Sequence, residues 1–577
     1  MKHEKIIEIG KVQNSFLNQS ATGQKILVIV PHEDDEINLA GSIMYAYVQK
    51  GADVYCAFTT NGDYSFAAST RMHEAERSLN KIGVTKIFFL GYGDTANHYS
   101  GGHLFYHENE AVISPAGHQE TYGSVHFADY AFQMRNTHSS YCRAAMRCDL
   151  ESLILFLKAD IIFCVDLDVH ADHRAASIIF EEAMGNILTR AGNTYQPTVF
   201  KGFAYCTSFG APKDFYAHNI YSVPLPKEKD DSIIGLSLYE WKSRVRFPVL
   251  PECRGHFLHD NILYYALFKH ASQSAALHAV RIVNGDTVFW QRRTDNLIYQ
   301  AQIDASSGNP DGLKEFKILD LNNIDESTVS LADHAWYPSM NDTKKEIYIS
   351  WPNKQIISLI KIAGNIKSYG HIKHLTISFD NGSIYKLDAL PINGQIMSFK
   401  LPENQQVSSA CVRVEGAEGS RYGLSFIGFF AHDYEISAVN PYIKLLINDD
   451  FAYDYLIPSS VNTCQVAVYQ YNTKEKIHIY SLDDKDGWVD SNCVVHFTPD
   501  AHRLYIRAEL ENNPDCYDEI CIHRMNWHYL QKLHLCQYVE DKLLTFYLKK
   551  HRKYTHIRHK YLKNCDKILY RIDEFTI

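Results

Sequence analysis

The sequence predicts a multidomain chain in which an α/β unit with a parallel sheet is followed by two β-sandwich-like units and a C-terminal helical tail. Three observations carry this. Up to residue 284 short apolar runs alternate with segments of helical period; from 285 to 526 short alternating strands with turn residues take over. From residue 527 the helical period returns and then gathers cations. At 577 residues the chain is too long for one core, and about 100 to 200 residues per domain gives roughly three to four units. The pattern divides as 1–284, 285–433, 434–526 and 527–577.

In the first unit, apolar runs at 25–30, 53–59, 86–94 and 160–165 alternate with helical segments at 36–49, 71–82 and 144–157. That order makes a Rossmann-like sheet with helices on both faces. Open sheets of this kind bind ligands at the carboxyl ends of their strands. The stretch 95–142, rich in Tyr, His, Ser and Gly, has little helical period and is expected to form a long loop over such a site.

Two motifs stand at strand exits. Pro31-His32-Glu33-Asp34-Asp35-Glu36 follows the run 25–30, and Asp166-Leu-Asp-Val-His170-Ala-Asp172-His173 follows the run 160–165. Imidazole nitrogen with carboxylate oxygen is the donor set of a borderline cation such as Zn²⁺, and a catalytic site leaves one position for water. Alone, the first motif reads equally as a helix N-terminus with acidic residues complementing the dipole, and the second as a surface turn. Two such motifs after two strands of one α/β pattern point instead to one shared metal site.

On these motifs the first half of the chain resembles the LmbE/PIG-L family of zinc-dependent de-N-acetylases, whose signature is a Pro-His-Pro-Asp-Asp-Glu strand exit and a later His-X-Asp-His. Thr60-Asn-Gly62-Asp63, Arg71-Met-His-Glu74 and the strand ending at Asp94 resemble further landmarks in the family's order. Trp241-Lys-Ser-Arg244 and Lys269-His-Ala-Ser-Gln273 resemble its closing segment. The resemblance implies that His32, Asp35 and His173 bind zinc or another divalent metal and that Asp34 is the general base on its water. It implies that His170 stabilises the oxyanion or protonates the leaving amine, and that Arg71 and Asp94 line the sugar pocket. Asp172 reads either as a partner for an imidazole's second nitrogen or as a helix cap. Glu33 stands where the family has proline; the turn loses a fixed φ of about −65° and gains an anion near the metal.

From 285 to 433 hairpin signals recur at 323–328, at Asp380-Asn381-Gly382 and at Asn393-Gly394. Trp290, the run 301–308 and the closing run 422–429 resemble the discoidin or galactose-binding-like β-sandwich. Such modules hold sugars in some proteins and serve as spacers in others, and fold alone does not decide between them. Alternation at 464–471 and 504–510 predicts a further small β-sandwich over 434–526, with the immunoglobulin-like type as one option. The tail carries the basic stretch 549–563 with interleaved Tyr, Leu and Ile. It reads as a helix packed on its own protein or as a peripheral contact with an anionic membrane face.

A formal net charge of −10 argues against nucleic acid as a partner of the whole chain. Thirteen cysteines without a Cys-X-X-Cys pair indicate neither a disulfide framework nor a thiolate zinc site. The N-terminal residues are too polar for a signal peptide, so a cytoplasmic setting is expected, peripheral at the inner membrane face if the tail binds lipid. The expected function is removal of an acetyl group from an N-acetylated amino sugar or glycoconjugate, the β units holding glycan. A non-catalytic carbohydrate-binding or scaffolding protein is the alternative.

Overall fold

The computed structural model describes residues 11–12, 20–95, 104–167, 170–191, 194–204, 245–253, 261–275, 286–317, 335–365, 370–392, 394–433, 442–448, 454–471 and 473–525. The basic tail, Trp241–Arg244, the signal at 323–328 and Asn393 lie outside them.

The first unit is built on β1 (Lys11–Val12), β2 (Lys25–Val30), β3 (Asp53–Thr60), β4 (Lys86–Tyr92), β5 (Ile161–Val165), β6 (Thr198–Gly202), β7 (Val245–Pro248) and β8 (Asp286–Arg292). Its helices are α1 (Asp35–Gln49), α2 (Ala68–Lys81), α3 (Tyr130–Arg135), α4 (Arg143–Leu157), α5 (Ala171–Ala191) and α6 (Ile262–Leu267). The strand order is β1-β7-β8-β6-β5-β2-β3-β4, with β6-β5-β2-β3-β4 all parallel. β2 and β5 are buried on both faces after their first residue, which is why they read as unbroken apolar runs. Going outward from these two neighbours, the chain winds to β3 and β4 on one side and to β6 on the other. The crevice between their carboxyl ends is the topological switch point where such sheets bind ligands. Both strand-exit motifs open into it.

β8 departs from the sequence pattern. The change near 285 and the resemblance carried by Trp290 assign this strand to the sandwich, but it runs antiparallel between β6 and β7 in the first sheet. Trp290 pairs with Lys201 and meets Phe203 edge to face at 5.8 Å. Alternation identifies a strand without saying which sheet it joins, and an antiparallel return strand on a parallel sheet alternates like a sandwich strand. The long segment after β4 is also more structured than expected, since it holds a 3-10 turn at Leu104–Tyr106 and α3.

The second unit is a five-stranded antiparallel sheet, β12-β11-β13-β10-β14, with β9 (Gln302–Ala305) added to β10. Its strands are β10 (Glu346–Gly364), β11 (Gly370–Phe379), β12 (Ile384–Leu387), β13 (Met397–Gly419) and β14 (Leu424–Phe430). The Asp380–Gly382 signal is the turn between β11 and β12, with Gly382 at φ 89. The third unit has two four-stranded sheets around a separate core, β15-β17-β20-β19 and β16-β22-β21-β18. These are β15 (Tyr442–Ile447), β16 (Asp454–Pro458), β17 (Thr463–Tyr471), β18 (Ile477–Ser481), β19 (Gly487–Val489), β20 (Val494–Phe497), β21 (Arg503–Leu510) and β22 (Asn513–Met525). No helix among the described residues is long and apolar enough to cross a membrane.

Candidate metal centre

At the switch point three donor atoms meet. His32 Nδ1 lies 3.1 Å from Asp35 Oδ2 and 3.2 Å from His173 Nε2, and His173 Nε2 lies 3.0 Å from Asp35 Oδ2. Tetrahedral bonds of about 2.0 to 2.1 Å to nitrogen and oxygen put ligand atoms roughly 3.3 Å apart, so these side chains need little movement to hold one ion. Asp35 and His173 are fully buried and His32 nearly so. The other Asp35 oxygen, Oδ1, is buried without a hydrogen-bond partner among the described residues. A buried carboxylate oxygen left unmatched is costly, and a cation at this point removes the cost. The residues present therefore fit a divalent metal.

His32 faces carboxylates on its second nitrogen as well. Its Nε2 is 3.3 Å from Asp172 Oδ2 and 3.5 Å from Asp94 Oδ1. Asp172 is fixed in turn by the Thr95 hydroxyl at 2.6 Å and the Thr95 N–H at 3.2 Å. His32, Asp94 and Asp172 form one group with donors within 4.8 Å of one another, and His32, His170 and His173 form another. Of the two readings of Asp172, the geometry favours the imidazole partner, which orients His32 from behind. Burial opposes protonation of His32, but Asp94, Asp172 and Asp35 outweigh it and hold its pKa well above the ordinary value. Burial likewise pushes the Asp35 carboxyl up, but His173 and His32 outweigh it and hold it well below the usual range. A positive charge at this point is stabilised, whether proton or metal.

The remaining expected residues gather around this centre. His170 keeps 14% of its side chain exposed where His32 keeps 5% and His173 none, and its ring meets that of His32 edge on at 4.6 Å. Its Nδ1 accepts the Asp172 N–H at 3.2 Å, which leaves the ring proton on Nε2. Burial, followed by the neighbouring His32 and His173, pushes its pKa down to about 3. Asp34 is buried with Oδ1 3.5 Å from Arg71 Nη2. Burial and then Asp35 raise its pKa to about 6 against the pull of Arg71. The Asp94 N–H donates to Asp63 Oδ1 at 2.7 Å, and the Tyr122 hydroxyl binds the other Asp63 oxygen.

Glu33 does not join the metal group. Its Oε2 is 3.3 Å from Arg71 Nε, and burial raises its carboxyl to about 7 against the pull of Arg71. The anion that replaces proline is thus matched by Arg71, whose guanidinium is nearly buried between Glu33 and Asp34. The turn is fastened from β3, where the Thr60 N–H and hydroxyl both donate to Pro31 O at 3.0 and 2.9 Å.

The sequence showed Glu36 only as a helix-start anion and gave no role to Ser78 or His270. Glu36 is fully buried, accepts the Asp34 N–H at 2.8 Å, and meets His270 Nε2 at 2.7 Å. The only sequence signal was that His270 falls within a landmark segment, Lys269–Gln273; a partner 234 positions away leaves no local pattern.

Residues 27–184 match the family model described as PIG-L: GlcNAc-PI de-N-acetylase, which places a PIG-L family domain in the first unit. No curated protein matches the chain. Among solved structures it is similar to an N,N'-diacetylchitobiose deacetylase from Pyrococcus horikoshii, at 21% identity over 34% of this chain with a TM-score of 0.22; the chain spans 64% of that protein's length. It is similar to a deacetylase from the teicoplanin biosynthesis pathway, at 13% identity over 47% of this chain and 100% of that one, TM-score 0.28. It is also similar to the family 32 carbohydrate-binding module of Clostridium perfringens NanJ, at 12% identity over 22% of this chain and 93% of that one, TM-score 0.18. At these scores the likenesses decide nothing about chemistry.

Proposed function

We propose that the first unit is a metal-dependent de-N-acetylase acting on an N-acetylated amino sugar or glycoconjugate, with His32, Asp35 and His173 as metal ligands. The observation that carries this is the approach of His32 Nδ1, Asp35 Oδ2 and His173 Nε2 to 3.0–3.2 Å of one another within a family-matched domain. Two imidazoles and a carboxylate suit Zn²⁺, the metal we assign. When bound, such an ion polarises a carbonyl and lowers the pKa of water.

The chain's own groups supply the rest. Asp34, next to Asp35 but turned towards Arg71, accepts the proton of the attacking water and passes it to the leaving amine. His170, with its proton on Nε2 and its ring partly exposed, donates to the oxygen of the acetamide carbonyl as negative charge develops there. Asp172 orients His32. Asp94 and Arg71 are assigned to the sugar pocket, with Arg71 acting from between Glu33 and Asp34.

Purified metal-loaded protein incubated with a panel of N-acetylhexosamine conjugates should release acetate. Asp34→Asn should keep one metal per chain and lose about 10²- to 10⁴-fold in rate, the usual cost of losing a general base. His173→Ala should lose the metal. Metal retained by His173→Ala would remove the ligand assignment, and full metal content without acetate release would leave the non-catalytic reading in its place.

A further inference from the structure

Asp34 has a backbone conformation that its type rarely adopts, with φ 146 and ψ −22. Side-chain sterics disfavour this region for any residue but glycine, so the conformation persists only if its surroundings enforce it. What enforces it is visible. The Asp34 N–H donates to Glu36 Oε2 at 2.8 Å in a buried setting. The other oxygen, Oε1, accepts from Ser78 Oγ at 3.2 Å and meets His270 Nε2 at 2.7 Å. Glu36 and His270 are both fully buried, and His270 Nδ1 has no partner among the described residues. A buried imidazole whose side-chain hydrogen bond among the described residues goes to one carboxylate is placed for that carboxylate.

His270 is itself fixed by the segment around it. Asn261 caps α6 by accepting the Leu263 and Tyr264 N–H groups, and Ser272 binds Glu74 of α2 through its N–H at 2.9 Å and its hydroxyl at 2.6 Å. α2 also contributes Ser78. A segment far along the chain is thus clamped across α1 and α2, delivering one imidazole nitrogen to Glu36.

We propose that His270 is a positioning residue: through Glu36 it holds the Asp34 peptide in its strained conformation and so aims the Asp34 carboxylate. This rests on the reading of Asp34 as proton acceptor. Among the described residues His270 binds Glu36 and none of the three metal-donor atoms, so its loss disturbs the aim of the base without removing a ligand.

The contacting atom makes a specific test available. A glutamine amide nitrogen overlays histidine Nε2, whereas an asparagine amide nitrogen overlays Nδ1. His270→Gln therefore keeps the donor to Glu36 and His270→Asn does not. For His270→Asn and His270→Ala we expect kcat to fall about 10- to 100-fold with KM and metal content unchanged, in line with the cost of a misplaced catalytic group. His270→Gln should recover kcat to within about threefold of wild type. The second readout is amide exchange of the 31–36 segment in metal-free protein, which should quicken about tenfold or more in the Asn and Ala variants and not in Gln, while strands β2 and β5 stay protected.

Wild-type exchange in His270→Asn, or Asn and Gln variants equally impaired, would overturn the proposal, as would loss of protection throughout the sheet, which marks a packing residue only. If His270→Ala does not fold, the Asn and Gln pair still decides. Absence of acetate release by the wild type on every conjugate sinks the Asp34 reading instead, and leaves the exchange result to judge His270 alone.

Discussion

Gly62 bears directly on the residues around the candidate metal centre. It sits at φ 57, and a Cβ there would fall 2.5 Å from Glu33 Oε2 and 2.7 Å from Arg71 Nε. Gly62→Ala therefore combines a left-handed backbone cost of about 1 to 2 kcal/mol with a forced separation of a buried ion pair. The variant should unfold at lower urea concentration. It should also lose acetate release more than metal, because Arg71 holds Asp34 as well as Glu33. Unchanged stability and rate would mean that the Glu33 and Arg71 side chains shift freely. At this scale the sequence was partly readable: Asp34, Asp35, His32, His170 and His173 stand in short motifs and converge. Glu36 was readable only as a helix-start anion, because its partner His270 is fixed by tertiary structure. Glu33 showed as an added charge, and its neutralisation by Arg71 follows only from the fold.

Among the elements, β8 braces the strand exit that carries His170 and His173. Arg292 at its end places Nη2 2.8 Å from Asp166 Oδ2, and Lys201 of β6 lies 2.7 Å from Glu181 and 3.5 Å from Asp166 Oδ1. Asp166 Oδ1 also accepts the Leu167 N–H, at the start of the turn that leads to the two histidines. Removing one member of a buried ion pair costs about 3 to 5 kcal/mol, whereas replacing both is far milder. Arg292→Leu should therefore be strongly destabilising and weaken metal binding. Arg292→Leu with Asp166→Leu should be less destabilised than the two single changes summed, by about 0.5 to 3 kcal/mol in a double-mutant cycle read by denaturant unfolding. Strict additivity would mean that the two groups do not act together. The parallel strands and their helices were readable from period and burial, since β2 and β5 are apolar throughout. The long strands were not: Pro352 and Pro402 look like breaks, yet both lie within β10 and β13 at register shifts, where a missing N–H is tolerated.

Among the described residues, most of the buried apolar side chains fall into two clusters. One runs without interruption from Ala21 through the parallel sheet to Phe429 of β14, and the other joins Ile443 to Ile522. The first is stitched by polar contacts too: Asn296 binds Ile427 O and the Phe429 N–H, Thr294 binds Pro197 O, and Trp351 Nε1 donates to Leu297 O at 2.9 Å. Calorimetry should accordingly show two transitions rather than three. Phe429→Ala, at about 3 to 5 kcal/mol, should lower the transition shared by the first two units. Leu504→Ala, at about 2 to 5 kcal/mol, should lower only that of the third. Separate melting of the first and second units would contradict a shared core.

The antiparallel course of β8 also determines how the chain can be divided. Composition suggests a seam near residue 284, but a break there takes away the strand that joins β6 to β7 and leaves Asp166 facing Lys201 without Arg292. A fragment ending at that seam would carry every expected metal ligand on a sheet missing an interior strand. Among the described residues, no sheet and neither cluster spans the interval from Asp433 to Tyr442. Recombination that exchanges the second unit must bring β8 with it or rebuild the sheet beyond β6.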